Sequence, residues 1–147
     1  RHDLGHVKGW RGELADAERL ERDALATFEA QGERRLAGLA RTYLAQIVEA
    51  DDRAEEAFAL AERAVAELEV APPLQVLALA ARARAELALG RPADALATVT
   101  RAMEALEAMG GIEEGESAVR LAHIECLQRN GQPVEAHAAL ERAHERL

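Results

Sequence analysis

Apolar residues recur along this chain at three-and-four spacing, and the pattern is broken at intervals by glycine or proline. Leu14, Ala17, Ala24, Leu25 and Phe28 form one stripe, and Leu36, Leu39, Ala40, Tyr43, Leu44, Ile47 and Val48 form the next. That period gathers apolar side chains on one side of a helix, so the chain reads as a succession of amphipathic helices. The pattern predicts a helix tail over residues 1–10, then helices over 13–30, 33–50, 53–69, 73–89, 92–109, 112–130 and 133–147. Gln31-Gly32, Asp51-Asp52, Gly90, Gly110-Gly111 and Gly131 supply the stops, since glycine readily takes the left-handed conformation that ends a helix. Pro72-Pro73, Pro92 and Pro133 mark starts, because a proline in the first helical turn loses no hydrogen bond.

One corner repeats. Gly90-Arg91-Pro92-Ala93-Asp94-Ala95 is matched by the segments Gly12–Ala17, Asp52–Ala57 and Gly131–Ala136. An alanine follows each corner at a fixed offset (Ala17, Ala57, Ala95, Ala136), and another lies seven residues later (Ala24, Ala64, Ala102, Ala143). The corners start at residues 12, 52, 90 and 131, spaced 40, 38 and 41 residues apart, and a period of this size signals stacked helix hairpins, none able to bury its apolar side alone. Small residues are expected where the two helices of a hairpin approach most closely.

These residues resemble the tetratricopeptide repeat family, in which a small residue late in the first helix precedes a Gly-containing corner and two alanines seven apart. Gly5, Ala45 and Ala83 meet the first-helix position and Ile124 departs from it. The resemblance implies an all-α fold: a right-handed superhelical stack of antiparallel helix hairpins, a TPR-like α-solenoid of about four repeats with the first incomplete. The repeats would span about 1–31, 32–71, 72–110 and 111–147 of a single domain. They exceed the family's usual length, as in the long-helix variant of large bacterial signalling proteins. Because the chain opens at Arg1 inside what should be a repeat, it is expected to be a piece of a longer protein.

Composition narrows the partners. The formal net charge of −9 argues against nucleic acid, whose phosphates reward clustered Lys and Arg. Cys126 is the only cysteine, which precludes an intrachain disulfide and suits a reducing cytoplasm. No apolar run approaches the length that crosses a bilayer, so no membrane partner is expected.

Candidate chemistry is sparse. His2, Asp3 and His6 place two imidazoles one helical turn apart, a spacing that can hold zinc, but without the Glu of a zinc-protease helix. His123, Glu125 and Cys126 lie close in sequence, yet Glu125 points away from the side that His123 and Cys126 share. Ser117 stands alone without a Gly-x-Ser-x-Gly frame. The reading is therefore non-catalytic, with no catalytic, cofactor or metal residue assigned. A metal-dependent enzyme is kept as the remote alternative.

The resemblance implies that function resides in a concave groove lined by the first helix of each hairpin. The family's groove positions map onto His2, Asp3, His6 and Trp10, then Thr42, Tyr43, Gln46 and Glu49, then Leu77 and Arg84, and last Leu121, Glu125, Gln128 and Arg129. Of these, Tyr43, Gln46, Glu49, Arg84, Glu125, Gln128, Arg129 and Trp10 are the candidate partner contacts, with aromatic and arginine anchors foremost. The positions with which chaperone-binding members clamp a carboxylate carry Asp, His, Thr, Gln and Ala here. The expected role is a protein–protein interaction module that takes a peptide or helical partner. The run from Ile112 to Leu121 resembles the repeat arrays of bacterial serine/threonine kinases and transcriptional activators, which implies the docking or sensing arm of such a protein. Self-association by end-to-end stacking, giving a homo-oligomer, is the alternative.

Overall fold

The computed structural model describes the backbone of residues 2–146 and the side chains of residues 10–146. Its seven α-helices are α1 (His2–Ala30), α2 (Arg34–Ala50), α3 (Ala54–Glu67), α4 (Pro72–Ala88), α5 (Pro92–Ala108), α6 (Glu116–Arg129) and α7 (Pro133–Glu145). A short 3-10 turn, Leu68–Val70, extends α3, and no strand occurs among the described residues.

Five helix ends close in the same way. The amide after the left-handed residue reaches back to a carbonyl in the last turn: Glu33 to Phe28, Arg53 to Val48, Arg91 to Glu86, Gly111 to Leu106 and Gln132 to Leu127. This satisfies carbonyls that a helix end leaves without partners and fixes the angle at which the chain leaves. Gly90 occupies the left-handed position at φ 75°, and a Cβ there would meet nothing within 4 Å. Its requirement for glycine is thus one of backbone conformation alone. Asp52 takes the same position at φ 61°, which a short polar side chain tolerates better than most. Pro92 and Pro133 each open a helix, as their positions predict, and α4 opens at Pro72, one residue before the expected Pro73.

Two expectations fail. No corner forms at Gly12: α1 runs unbroken from His2 to Ala30, so the expected first hairpin is a single long helix. Gly12 lacks the positive φ of the true corners, and no proline follows it. A glycine inside a helix costs only about 1 kcal/mol, which the helix-forming Arg11, Glu13, Leu14 and Ala15 outweigh. The helix expected from Ile112 begins instead at Glu116. Gly111 and Gly115 hold φ values of 107° and 84°, and residues 112–114 between them form an irregular, bent bridge from α5 to α6.

Each helix packs on the next, giving the antiparallel pairs α2–α3, α4–α5 and α6–α7. The even-numbered helices also lie side by side in the order α2, α4, α6, whereas no two odd-numbered helices approach as closely among the described residues. Alanine makes this packing possible. Ala57, Ala64, Ala95 and Ala102 are wholly buried, and Ala45, Ala61 and Ala81 meet where α2, α3 and α4 converge. Larger side chains fill the remaining space: Val76, Leu79, Val99, Leu106 and Val119 form the central cluster, and Leu25, Leu44 and Val48 a second one towards α1. Where the odd helices stand apart, arginines span the gap. Arg22 reaches Glu56 at 2.6 Å, Arg53 donates to Glu18, and Arg63 lies 3.6 Å from Glu29.

Candidate functional site

Because each even helix is followed by an antiparallel return, α2, α4 and α6 run parallel to one another. Residues three or four apart on each therefore line one common face. On α2 these are Leu39, Tyr43, Gln46 and Ala50; on α4, Leu74, Leu77, Ala81, Arg84 and Ala88; on α6, Ala118, Leu121, Glu125 and Arg129. Three hollows follow one another along this face. The first, about 370 Å³, lies among Leu39, Tyr43, Leu74, Leu77 and the bridge residues Ile112–Glu114. The second, about 320 Å³, is bounded by Gln46, Ala81, Arg84 and Leu121. The third, about 120 Å³, lies between Glu49, Arg84, Leu87, Glu125 and Arg129. Together they make a trough running from the N-terminal to the C-terminal ends of the three helices. Tyr43, 36% exposed, and Leu121, 55% exposed, stand on its walls.

Arg84 is the centre of the trough's charge. Its guanidinium donates to Glu125 on α6 and lies 3.5 Å from Glu49 on α2, so one cation joins three helices. Arg129, farther along, donates to the Leu87 carbonyl at 3.4 Å. Six of the eight candidate contacts thus share one surface: Tyr43, Gln46, Glu49, Arg84, Glu125 and Arg129. Gln128 is solvent-exposed but lines none of the three hollows. Trp10 is half exposed on α1, outside the row of even helices, because the unbroken α1 replaces the first hairpin that would have brought it there. Thr42 is also removed from the groove. It is fully buried, and its hydroxyl donates to the Gly38 carbonyl one turn back at 2.9 Å. His2, Asp3 and His6 lie outside the residues whose side chains are described.

The bridge of residues 112–114 is the part of the trough that the sequence pattern missed, since helical periodicity had absorbed it into α6. The paired glycines at 111 and 115 were the available signal. The bridge is firmly placed: Gly115 lies so close over Leu77 that a Cβ would collide with it, and the Ile112 amide donates to Glu116 at 3.3 Å. Glu116 also accepts from Arg146 Nε at 2.7 Å and Arg120 Nε at 2.8 Å, tying the end of α7 to the start of α6.

Those two guanidiniums hold the Glu116 carboxyl at about 2, against an ordinary 4.5. A carboxyl whose folded value lies below its unfolded one adds stability that is complete above pH 4.5 and lost as pH falls towards 2. Acid titration of the urea midpoint is expected to fall across that window, and Glu116→Gln to flatten the fall. Equal slopes in both proteins would mean that the cluster does not hold in solution.

Cys126 is wholly buried, and burial pushes its thiol up to about 12. Burial also lowers the His123 pKa. Among the described residues no group of three or more His, Cys, Asp or Glu is placed to hold a metal ion, and no helix is long and apolar enough to cross a membrane. Comparison of the chain with protein-family models, curated proteins and solved structures finds no match in any of the three.

Proposed function

We propose that the chain is a TPR-like repeat module that binds a peptide or helical segment of another protein in the trough formed by α2, α4 and α6. The observation that carries this reading is the run of three hollows along one face of parallel helices, with Tyr43 and Leu121 exposed on its walls. Exposed large side chains over a rigid, closely packed floor are what an interaction surface needs, because little order is then lost on binding. The identical corners and small-residue contacts support a superhelical stack in which the even helices line the inner side. By the same resemblance, the module would serve as the docking or sensing arm of a bacterial signalling protein.

A displayed library of random peptides tests the reading. Peptides selected on the chain should lose binding to Tyr43→Ala and Gln46→Arg and keep it to Val134→Arg, whose site on α7 is 77% exposed and lines none of the hollows. Enrichment of no peptide, or equal loss in all three variants, would sink it.

A further inference from the structure

The charges around the trough specify what it would accept, an inference that rests on the reading above and sharpens it. Four carboxylates border the hollows (Glu49, Glu113, Glu114 and Glu125) against two guanidiniums, Arg84 and Arg129. Arg84 is already matched by Glu49 and Glu125. Nothing comparable neutralises the bridge. Arg120 and Arg146, the arginines nearest to it on α6 and α7, are both committed to Glu116. Glu113 and Glu114 are solvent-exposed and, among the described residues, have no cation as partner. They overhang the apolar hollow formed by Leu39, Tyr43, Leu74, Leu77 and Ile112.

The N-terminal ends of α2, α4 and α6 weigh on the other side, since a helix N-terminus carries roughly half a positive charge. Arg35, exposed one turn before Leu39 on α2, adds to them. Direct pairing with Glu113 and Glu114, together with the long-range field of the chain's net charge of −9, therefore carries the preference for a cation.

We propose that the trough takes a basic, apolar-anchored peptide segment: an apolar side chain seated against Tyr43, Leu74, Leu77 and Ile112, with flanking Lys or Arg paired to Glu113 and Glu114. Such a segment meets each feature with its complement. Its aliphatic anchor removes the exposed edge of Tyr43 from water, and its cations find carboxylates that no internal arginine occupies. The bridge needs no rearrangement to receive it, because Gly115 on Leu77 and Glu116 on Ile112 already hold it in place. An acidic segment would face unpaired like charges at the same rim.

Two synthetic peptides of equal length decide the matter by fluorescence anisotropy at low and high salt. Both carry the same leucine anchor, flanked by lysines in one and by glutamates in the other. The lysine peptide should bind about tenfold more tightly, with a preference that shrinks as salt rises. Glu113→Gln with Glu114→Gln should weaken it about tenfold, and Tyr43→Ala should weaken both peptides. Glu55→Gln with Glu62→Gln removes the same charge from exposed positions on α3, no residue of which lines the hollows, and should leave binding nearly unchanged. If that α3 pair weakens the lysine peptide as much as the bridge pair does, attraction is diffuse and the proposal is overturned. Tighter binding of the glutamate peptide, lost in Tyr43→Ala, would overturn this inference while leaving the trough as the binding surface. Binding of neither peptide, together with an empty library selection, would remove both.

Discussion

Arg41→Leu should lower the unfolding free energy by about 3–5 kcal/mol, read from the shift in urea midpoint at constant slope. Arg41 is only 4% exposed, yet it carries a full charge between three elements. Its Nε donates to Glu67 Oε1 at 2.7 Å near the end of α3, and a terminal nitrogen donates to Glu29 Oε2 at 2.6 Å near the end of α1. A leucine would fill much of the space but leave Glu67, itself largely sheltered, without its principal partner. An unpaired, partly buried carboxylate is what makes breaking such a pair expensive. Arg63 lies 4.0 Å from Glu67 and is mostly exposed, so it can recover a little of the loss and favours the lower end of the range. Arg41→Lys keeps the charge but cannot span both carboxylates with a planar fork, and an intermediate loss is expected. Removing both charges with Arg41→Leu and Glu67→Leu should restore much of the stability, because the remaining Glu29 is open to water. An unchanged midpoint in Arg41→Leu would mean that the guanidinium is solvated and the three elements are joined by apolar packing alone.

The second large effect lies at the turn that follows α3. Leu68→Ala is expected to cost about 2–5 kcal/mol, because Leu68 is wholly buried and the rigid helices around it cannot close over the vacancy. Its neighbour Gly38 makes the test sharper. A Cβ at Gly38 would stand 2.8 Å from both Cγ and Cδ2 of Leu68. Gly38→Ala gains about 1 kcal/mol of helix propensity but pays about 1–3 kcal/mol in overpacking, so a modest net loss is expected. In the Leu68→Ala background the obstructing atoms are gone, and the same substitution should become stabilising. That reversal of sign is what a double-mutant cycle reads. Additive effects would show that the turn does not rest on α2 at this point.

Much of the architecture was legible because it depends on local chemistry. Gly32, Gly90, Gly110 and Gly131 stop helices through backbone freedom, and Pro92 and Pro133 start them through a fixed φ; both act within a few residues. The alanines that follow the corners that form, Ala57, Ala64, Ala95, Ala102 and Ala136, are buried contact residues, whereas Ala17 and Ala24 on the unbroken α1 are only half-buried. Gly12 misled the reading for a related reason. A glycine with an alanine five residues later copies the corner's letters, but a corner also needs a second packed helix to repay the broken hydrogen bonds. Residues 112–114 misled it in the other direction, since Ile112 and the glutamates fit a helical period while the two flanking glycines forbid it.

What the sequence by itself determined is the set of helices and the small positions on which they pack, because propensity, stops and starts are encoded within a turn or two. Tertiary structure alone decided which of those helices share a face. Glu49 and Arg84 are 35 residues apart in the chain, and Arg84 and Glu125 are 41 apart. They become neighbours only because tight antiparallel returns bring α2, α4 and α6 into parallel register. The same packing turned Thr42 inward and left Trp10 on α1, away from the row. It also drew Glu113 and Glu114 over Leu77, where a pair of carboxylates from an irregular bridge becomes the rim of an apolar trough. A residue's face on its own helix is a local property, but the company it keeps depends on contacts distant in sequence, and no periodicity records them.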